Sequence, residues 1–293
     1  MHIYDIAGIG LEVISDFHYV YEELKDFSSA RNTGPDLFVD IKGSDIIDRP
    51  DGVLTENEYG IWAQSLELPG KMSLSRLSDN GGVLCRMDID LAWKYSTITY
   101  NTNYQFGFYG LIGPMMEILF RSQIVFQQGL VIHAAGLNWQ DQGILLSAPS
   151  GTGKSTQANL WKRFMNARVL NGDHTAVRII NDTPVVFGSP WSASSPDFYN
   201  GKAVLSTIVV LQQAGENSIR RLSCSEAATM LLPRCFLPSF SEVMMDMAVD
   251  TFNSLINKVP VYLLACRPEM EAVELLCRFA SELNGDGNTI FSS

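Results

Sequence analysis

Apolar and polar residues alternate along "DLFVDIKG" until Gly43 breaks the pattern, and a two-residue period marks a half-buried strand. "STITYNTNYQF" is rich in β-branched and aromatic residues, and "DRPDG" and "SDNGG" carry turn chemistry between such runs. One helical piece, "DFHYVYEELKDF", interrupts them. This first part of the chain predicts a β-rich domain dominated by antiparallel sheet.

Past Gly110 the period changes. "LIGPMMEILFRSQIVFQQG" repeats its apolar residues at helical spacing and ends at Gly129, a C-terminal cap. "LVIHAAGL" and "GILLSA" read as two strands of a ribbon turning near "NWQDQG", and the helix "KSTQANLWKRFMN" follows at once. "ARVLNGD", "TAVRIIN", "TPVVFGS", "AVLSTIVVL" and "VPVYLLAC" supply further strands. "SCSEAATMLL", "SEVMMDMAVDTFNSLINK" and "RPEMEAVELLCRFASEL" supply helices. The texture is that of an α/β domain. With the junction set between Tyr104 and Gly113, the expected division is a β-rich domain over 1–108 and an α/β domain over 109–293.

Composition narrows the function classes. Of 293 residues 46% are hydrophobic and 18% charged, enough for real cores and unlike a disordered chain. No apolar run reaches bilayer length and the N-terminus lacks a secretory pattern, so a soluble, cytoplasmic protein without a membrane partner is expected. Net charge is −11. Residues 1–110 hold 8 Lys+Arg against 17 Asp+Glu, and the remainder holds 13 against 15. Neither part offers the basic field that nucleic acid requires. Five scattered cysteines without a C-x-x-C pair read as buried free thiols, and four histidines without paired spacing argue against zinc.

The chemistry concentrates in "GILLSAPSGTGKSTQANLWKRF". Strand, glycine-rich loop, then helix is the setting of a P-loop (Walker A). Ser150, Gly151, Thr152, Gly153, Lys154, Ser155 and Thr156 would hold a nucleotide. The loop amides cradle phosphate, Lys154 reaches the β- and γ-phosphates, and the Ser155 hydroxyl ligates Mg²⁺. Ala148 stands where the strict pattern has its first glycine.

Asp173 follows at the end of an apolar strand, 173 − 154 = 19 residues past the loop lysine, placed to hold Mg²⁺ or to take a proton. His133, on the strand before the loop strand, is either a packing residue or an active-site base. Ser189, Ser192, Ser194 and Ser195 in "GSPWSASS" either bind a polar substrate or serve the turn. Lys202, Arg220 and Arg221 either offer positive charge to a transferring phosphoryl group or, the safer reading, are surface cations.

His133, "SAPSGTGKST", "NGD" and "GSPWS" together resemble the HPr kinase/phosphorylase superfamily, and more narrowly its HPr kinase-like bacterial branch, from about Leu130 to Leu276. The resemblance implies a P-loop-containing mixed-sheet kinase domain related to ATP-dependent phosphoenolpyruvate carboxykinase. It implies transfer of phosphate from ATP (or GTP), with Mg²⁺, to a serine hydroxyl of a protein, peptide or free serine, and a homo-oligomer. Lys154, Asp173 and His133 match catalytic positions, and Ser155 and Asp173 match metal positions. Gly172 stands where the bifunctional enzymes carry a second aspartate, and Thr156 where they carry an acid. Phosphorolysis, and HPr itself as substrate, are therefore not expected. Two further readings stay open: a small-molecule kinase of the adenylylsulfate kinase type, suggested by "LNGDH", and a nucleotide-gated binding protein without turnover.

Overall fold

The alternation at residues 37–41 becomes a strand because Leu37, Val39 and Ile41 all turn to one buried face. It belongs to the first of two compact units, Met1–Ile124 and Val125–Ser293, into which the computed structural model divides. Residues 2–30, 34–57, 60–64, 70–149, 151–192, 195 and 197–283 are described.

The first unit is built on β1 (His2–Ile6), β2 (Ile9–Ser15), α1 (Tyr19–Glu23), β3 (Leu37–Ser44), β4 (Val53–Asn57), β5 (Gly60–Gln64), β6 (Lys71–Leu77), β7 (Val83–Asp90), β8 (Tyr95–Asn101) and α2 (Ile112–Gln123). The sheet order is β1-β2-β3-β8-β7-β6-β5-β4. Neighbours are antiparallel except that β3 runs parallel to both β2 and β8. The sheet is dominated by antiparallel pairings, as the sequence predicts, with β3 as the parallel strand. The connections of β3 are long enough to cross over: α1 lies on one side of it in sequence and four strands lie on the other. α2 packs on β8 and lies in this unit, which runs to Ile124.

The second unit contains β9 (Gly129–Trp139), β10 (Gln142–Ser147), α3 (Lys154–Met165), β11 (Arg168–Asn171), β12 (His174–Ile180), β13 (Thr183–Phe187), β14 (Lys202–Gln213), β15 (Ser218–Arg221), α4 (Cys224–Leu231), α5 (Glu242–Lys258), β16 (Val261–Cys266) and α6 (Met270–Leu283). Its sheet is also mixed, in the order β10-β9-β12-β13-β14-β16-β15, with β11 on β9. A parallel pairing of β10 with β14 closes a circuit through β9, β12 and β13.

β9 is apolar along nearly its whole length because strands flank it on both sides and helices cover it. One face of the sheet is sealed by α3 and α6, where Ala158, Trp161, Val273 and Leu276 meet Leu137, Leu146, Val209 and Leu264. Trp161 stands edge-on to Trp139 at 5.4 Å. α4 begins with a capping box in which the Ser223 hydroxyl accepts from the Glu226 amide and the Glu226 carboxylate accepts from Ser223.

Among the described residues no helix is long and apolar enough to cross a membrane. All five cysteines are free thiols, as expected, but Cys224 is exposed on α4 and Cys235 only half-buried.

Candidate active site

β10 ends in the buried Ser147, and 151–153 form a turn before α3 starts at Lys154. Gly151 and Gly153 have φ of +76° and +112°. A Cβ at either would meet nothing within 4 Å, so backbone conformation rather than crowding demands glycine. The loop leaves the sheet at the carboxyl ends of the parallel strands β10, β14 and β16, the edge where open α/β sheets take ligands. The first-turn amides of α3 have no acceptors within the helix, and no side chain caps it.

The Lys154 side chain turns inward and is buried. Its ammonium lies 2.8 Å from His133 Nε2, 3.6 Å from Asp173 Oδ1 and 3.4 Å from the Ala148 carbonyl oxygen. His133 Nε2 is in turn 2.8 Å from Asp173 Oδ1. These three residues come from three elements. His133 sits mid-β9, Lys154 opens α3, and Asp173 occupies the turn between β11 and β12. The register of β9 with β12 brings them together, since His133 pairs with His174 and the Ala134 amide donates to the Asp173 carbonyl at 2.8 Å.

Burial pushes the His133 imidazole below its ordinary value; Asp173 opposes the shift, while Lys154 and His174 add to it. Burial likewise lowers the Lys154 ammonium, against the pull of the Asp173 carboxylate.

Asn171 fixes the Asp173 turn. It is fully buried, and its side-chain oxygen accepts from the amides of Asp173 at 2.9 Å and His174 at 2.7 Å. Its Nδ2 donates to the Ser189 and Trp191 carbonyls and to Ser189 Oγ. The sequence reading missed Asn171 because Asn-Gly looks like an exposed turn; the apolar "ARVL" before it was the available signal that the turn lies inside. It also missed His174, whose Nε2 stands 3.8 Å from Asp173 Oδ2 and whose ring packs on Phe236.

His133, Gly151, Gly153, Lys154, Ser155, Thr156, Gly172, Asp173 and Ser195 line one pocket of about 330 Å³. Thr152 lies in the same loop, its amide donating to the Pro149 carbonyl, and Ser150 falls outside the described residues.

The "GSPWSASS" serines divide by role. Ser189 bonds Asn171 and the His174 carbonyl, Ser192 bonds the Ser195 carbonyl, Ser195 faces the pocket, and Ser194 is outside the described residues. Lys202 is exposed at the start of β14, and Arg220 pairs with Glu226 at 2.9 Å on the surface. Arg221 is exposed on β15. Among the described residues no three His, Cys, Asp or Glu cluster as a metal-only site.

The chain is similar to solved structures that include the Hpr(Ser) kinase/phosphatase from Coxiella burnetii, with a TM-score of 0.34 and 13% identity over 54% of this chain and 99% of that one. No family model and no curated protein matches it.

Proposed function

We propose that the second unit is an HPr kinase-like kinase domain of a cytoplasmic protein, using ATP (or GTP) and Mg²⁺ to phosphorylate a hydroxyl, with serine in a peptide, protein or small molecule as the acceptor class. The supporting observation is the meeting of one ammonium, one imidazole and one carboxylate at the mouth of a glycine loop.

Residues 151–156 and the start of α3 hold phosphate oxygens. Lys154 exchanges His133 for the β- and γ-phosphates. Ser155 and Asp173 offer hard oxygen donors on one pocket wall, which suits Mg²⁺. A Mg²⁺ ion held by Ser155 and Asp173 would supply charge neutralisation for the phosphates. His133, kept neutral by burial, takes the proton from the acceptor hydroxyl, with Asp173 steadying the imidazolium. The acceptor oxygen bonds to the γ-phosphorus as the bond to the nucleoside diphosphate breaks.

The test is transfer from γ-labelled ATP with Mg²⁺ to serine-containing acceptors. Label on a defined hydroxyl, lost in Lys154→Ala and Asp173→Asn, supports the kinase. Tight Mg·ATP binding with no labelled acceptor and no phosphate release supports the second reading, a nucleotide-gated binder. One observation favours that alternative: the position beside Asp173 has no room for a second carboxylate, because a Cβ on Gly172 would lie 2.0 Å from Ser195 Oγ.

A further inference from the structure

Ser195 lines the same pocket as His133, Lys154, Ser155 and Asp173, yet it has no task in the transfer to an outside acceptor. It comes from the connection between β13 and β14, and its near neighbours Asp197 and Phe198 are tied to the Asp173 turn. Phe198 bridges to Asn171 in antiparallel sense, and the Gly172 amide donates to the Asp197 carbonyl at 3.0 Å. The Asp197 carboxylate pairs with Lys162 of α3 at 2.9 Å. These ties set Ser195 against Gly172, where a Cβ would lie 2.0 Å from its Oγ. The absence of a side chain at 172 leaves that space to a hydroxyl.

The hydroxyl is held but not used up. Its oxygen accepts from the Asp197 amide at 3.3 Å, and among the described residues its proton goes to no acceptor. Ser192, by contrast, commits its hydroxyl to the Ser195 carbonyl, and Ser189 to the His174 carbonyl. Ser195 is half-buried, neither sealed in the core nor turned out to bulk solvent. Phosphoryl transfer sets the attacking oxygen roughly in line with the leaving one. Of the hydroxyl residues lining the pocket, Ser155 and Thr156 belong to α3, which grips the phosphates, and Ser195 belongs to a separate segment.

We infer that Ser195 is itself a phosphoryl acceptor, modified in cis by the nucleoside triphosphate bound in its own pocket. The inference rests on the kinase reading and names one acceptor for it, a serine of this chain. The Ser195 hydroxyl proton passes to His133 as Oγ bonds to the γ-phosphorus. The bond from that phosphorus to its bridging oxygen breaks, and the electron pair leaves with the nucleoside diphosphate. The phosphoserine then carries a charge of about −1.5 to −2. It stands among the groups that hold a nucleotide's own phosphates, so the modified pocket takes a second triphosphate poorly.

The test uses the full chain with γ-labelled ATP and Mg²⁺ and no added acceptor. Stoichiometric label on the protein is expected, localised to Ser195 by fragment-ion mass spectrometry, at a first-order rate independent of protein concentration. The label should be lost in Ser195→Ala and in Lys154→Ala. Fully labelled protein should bind Mg·ATP about tenfold more weakly than untreated protein, or worse, because like charges then share the pocket. Mapping on the wild type carries the test even where Ser195→Ala folds poorly.

Label on any other residue, a rate that rises with protein concentration, or undiminished Mg·ATP affinity after labelling overturns the assignment. The serine-containing acceptors of the kinase assay, run in parallel, separate the two failures. Labelled acceptor with unlabelled protein overturns Ser195 alone. Neither labelled, in protein that binds Mg·ATP or in protein that does not, overturns the kinase reading and Ser195 with it.

Discussion

His133 Nε2 lies 2.8 Å from Asp173 Oδ1 and the same distance from Lys154 Nζ. One ring nitrogen cannot serve both partners in one protonation state. Carrying a proton it donates to Asp173; without one it accepts from Lys154. The three groups therefore share a proton whose position depends on where Lys154 is drawn. A phosphate that pulls Lys154 away frees the Nε2 lone pair for an incoming hydroxyl proton.

Lys154→Ala removes the cation from this arrangement. Loss of a preorganised charge stabiliser costs about 10²–10³-fold in rate, and a lysine that also anchors the nucleotide should lie at the upper end. Phosphoryl transfer should fall by that factor and Mg·ATP affinity should fall with it, while the melting temperature changes little. Unchanged turnover would refute the mechanism.

Burial lowers the His133 value below the ordinary histidine value of about 6.5. The fold thus favours the neutral ring. Its contribution to stability is complete above the unfolded value and is lost as pH falls through the folded one. In ligand-free protein with chelator present, the His133 ring signals should titrate with a midpoint below about 6.5. Acidification from neutrality should shift the denaturant midpoint downward, and less so in His133→Gln. A midpoint above the ordinary value would contradict the dominance of burial over the Asp173 carboxylate.

Asn171→Ala should be the most destabilising single change near the site. It deprives the Asp173 and His174 amides of their shared acceptor and the Ser189 and Trp191 carbonyls of their donor. Buried polar groups left without partners cost about 1–3 kcal/mol each, partly relieved by water. A loss of about 3 kcal/mol in denaturant unfolding is expected, together with loss of transfer, because the turn that aims Asp173 is no longer held. Asn171→Asp can still accept from both amides but cannot donate, and should fall between alanine and wild type.

The loop and its flanking elements were legible in the sequence because each rests on a local signal: continuous apolar runs bounded by turn residues in β9 and β10, period 3.6 in α3, and glycine where φ is positive. The helices α4, α5 and α6 were readable for the same reason. What escaped depends on distant partners. β15 is four residues, "SIRR", three of them exposed, and exists only because β16 offers an edge to pair with. The parallel seating of β3 and the closing contact of β10 with β14 are likewise set by crossovers that no window of sequence displays. The lone histidine in "VIHAAGL" acquires a site position only through the register that sets it opposite His174.

The last prediction concerns Gly172 and Ser195. A Cβ at Gly172 would come within 2.0 Å of Ser195 Oγ and 2.5 Å of Ser195 Cβ, and its φ lies outside the positive range, so the glycine answers to its neighbour and not to its backbone. Ser195 is held in turn by its amide bond to the Ser192 carbonyl at 2.9 Å and by accepting from the Asp197 amide at 3.3 Å. Gly172→Ala should therefore cost about 1–3 kcal/mol, the usual penalty for a side chain forced into filled space. Ser195→Gly alone should cost less, since it vacates volume at a pocket wall. If the two positions truly compete for one space, the double variant should recover most of the loss, giving a strong coupling in a double-mutant cycle of unfolding free energies. Additive effects would mean that the turn yields elsewhere and that the space beside Asp173 is open after all. The pair would then cease to explain why a single carboxylate serves this site.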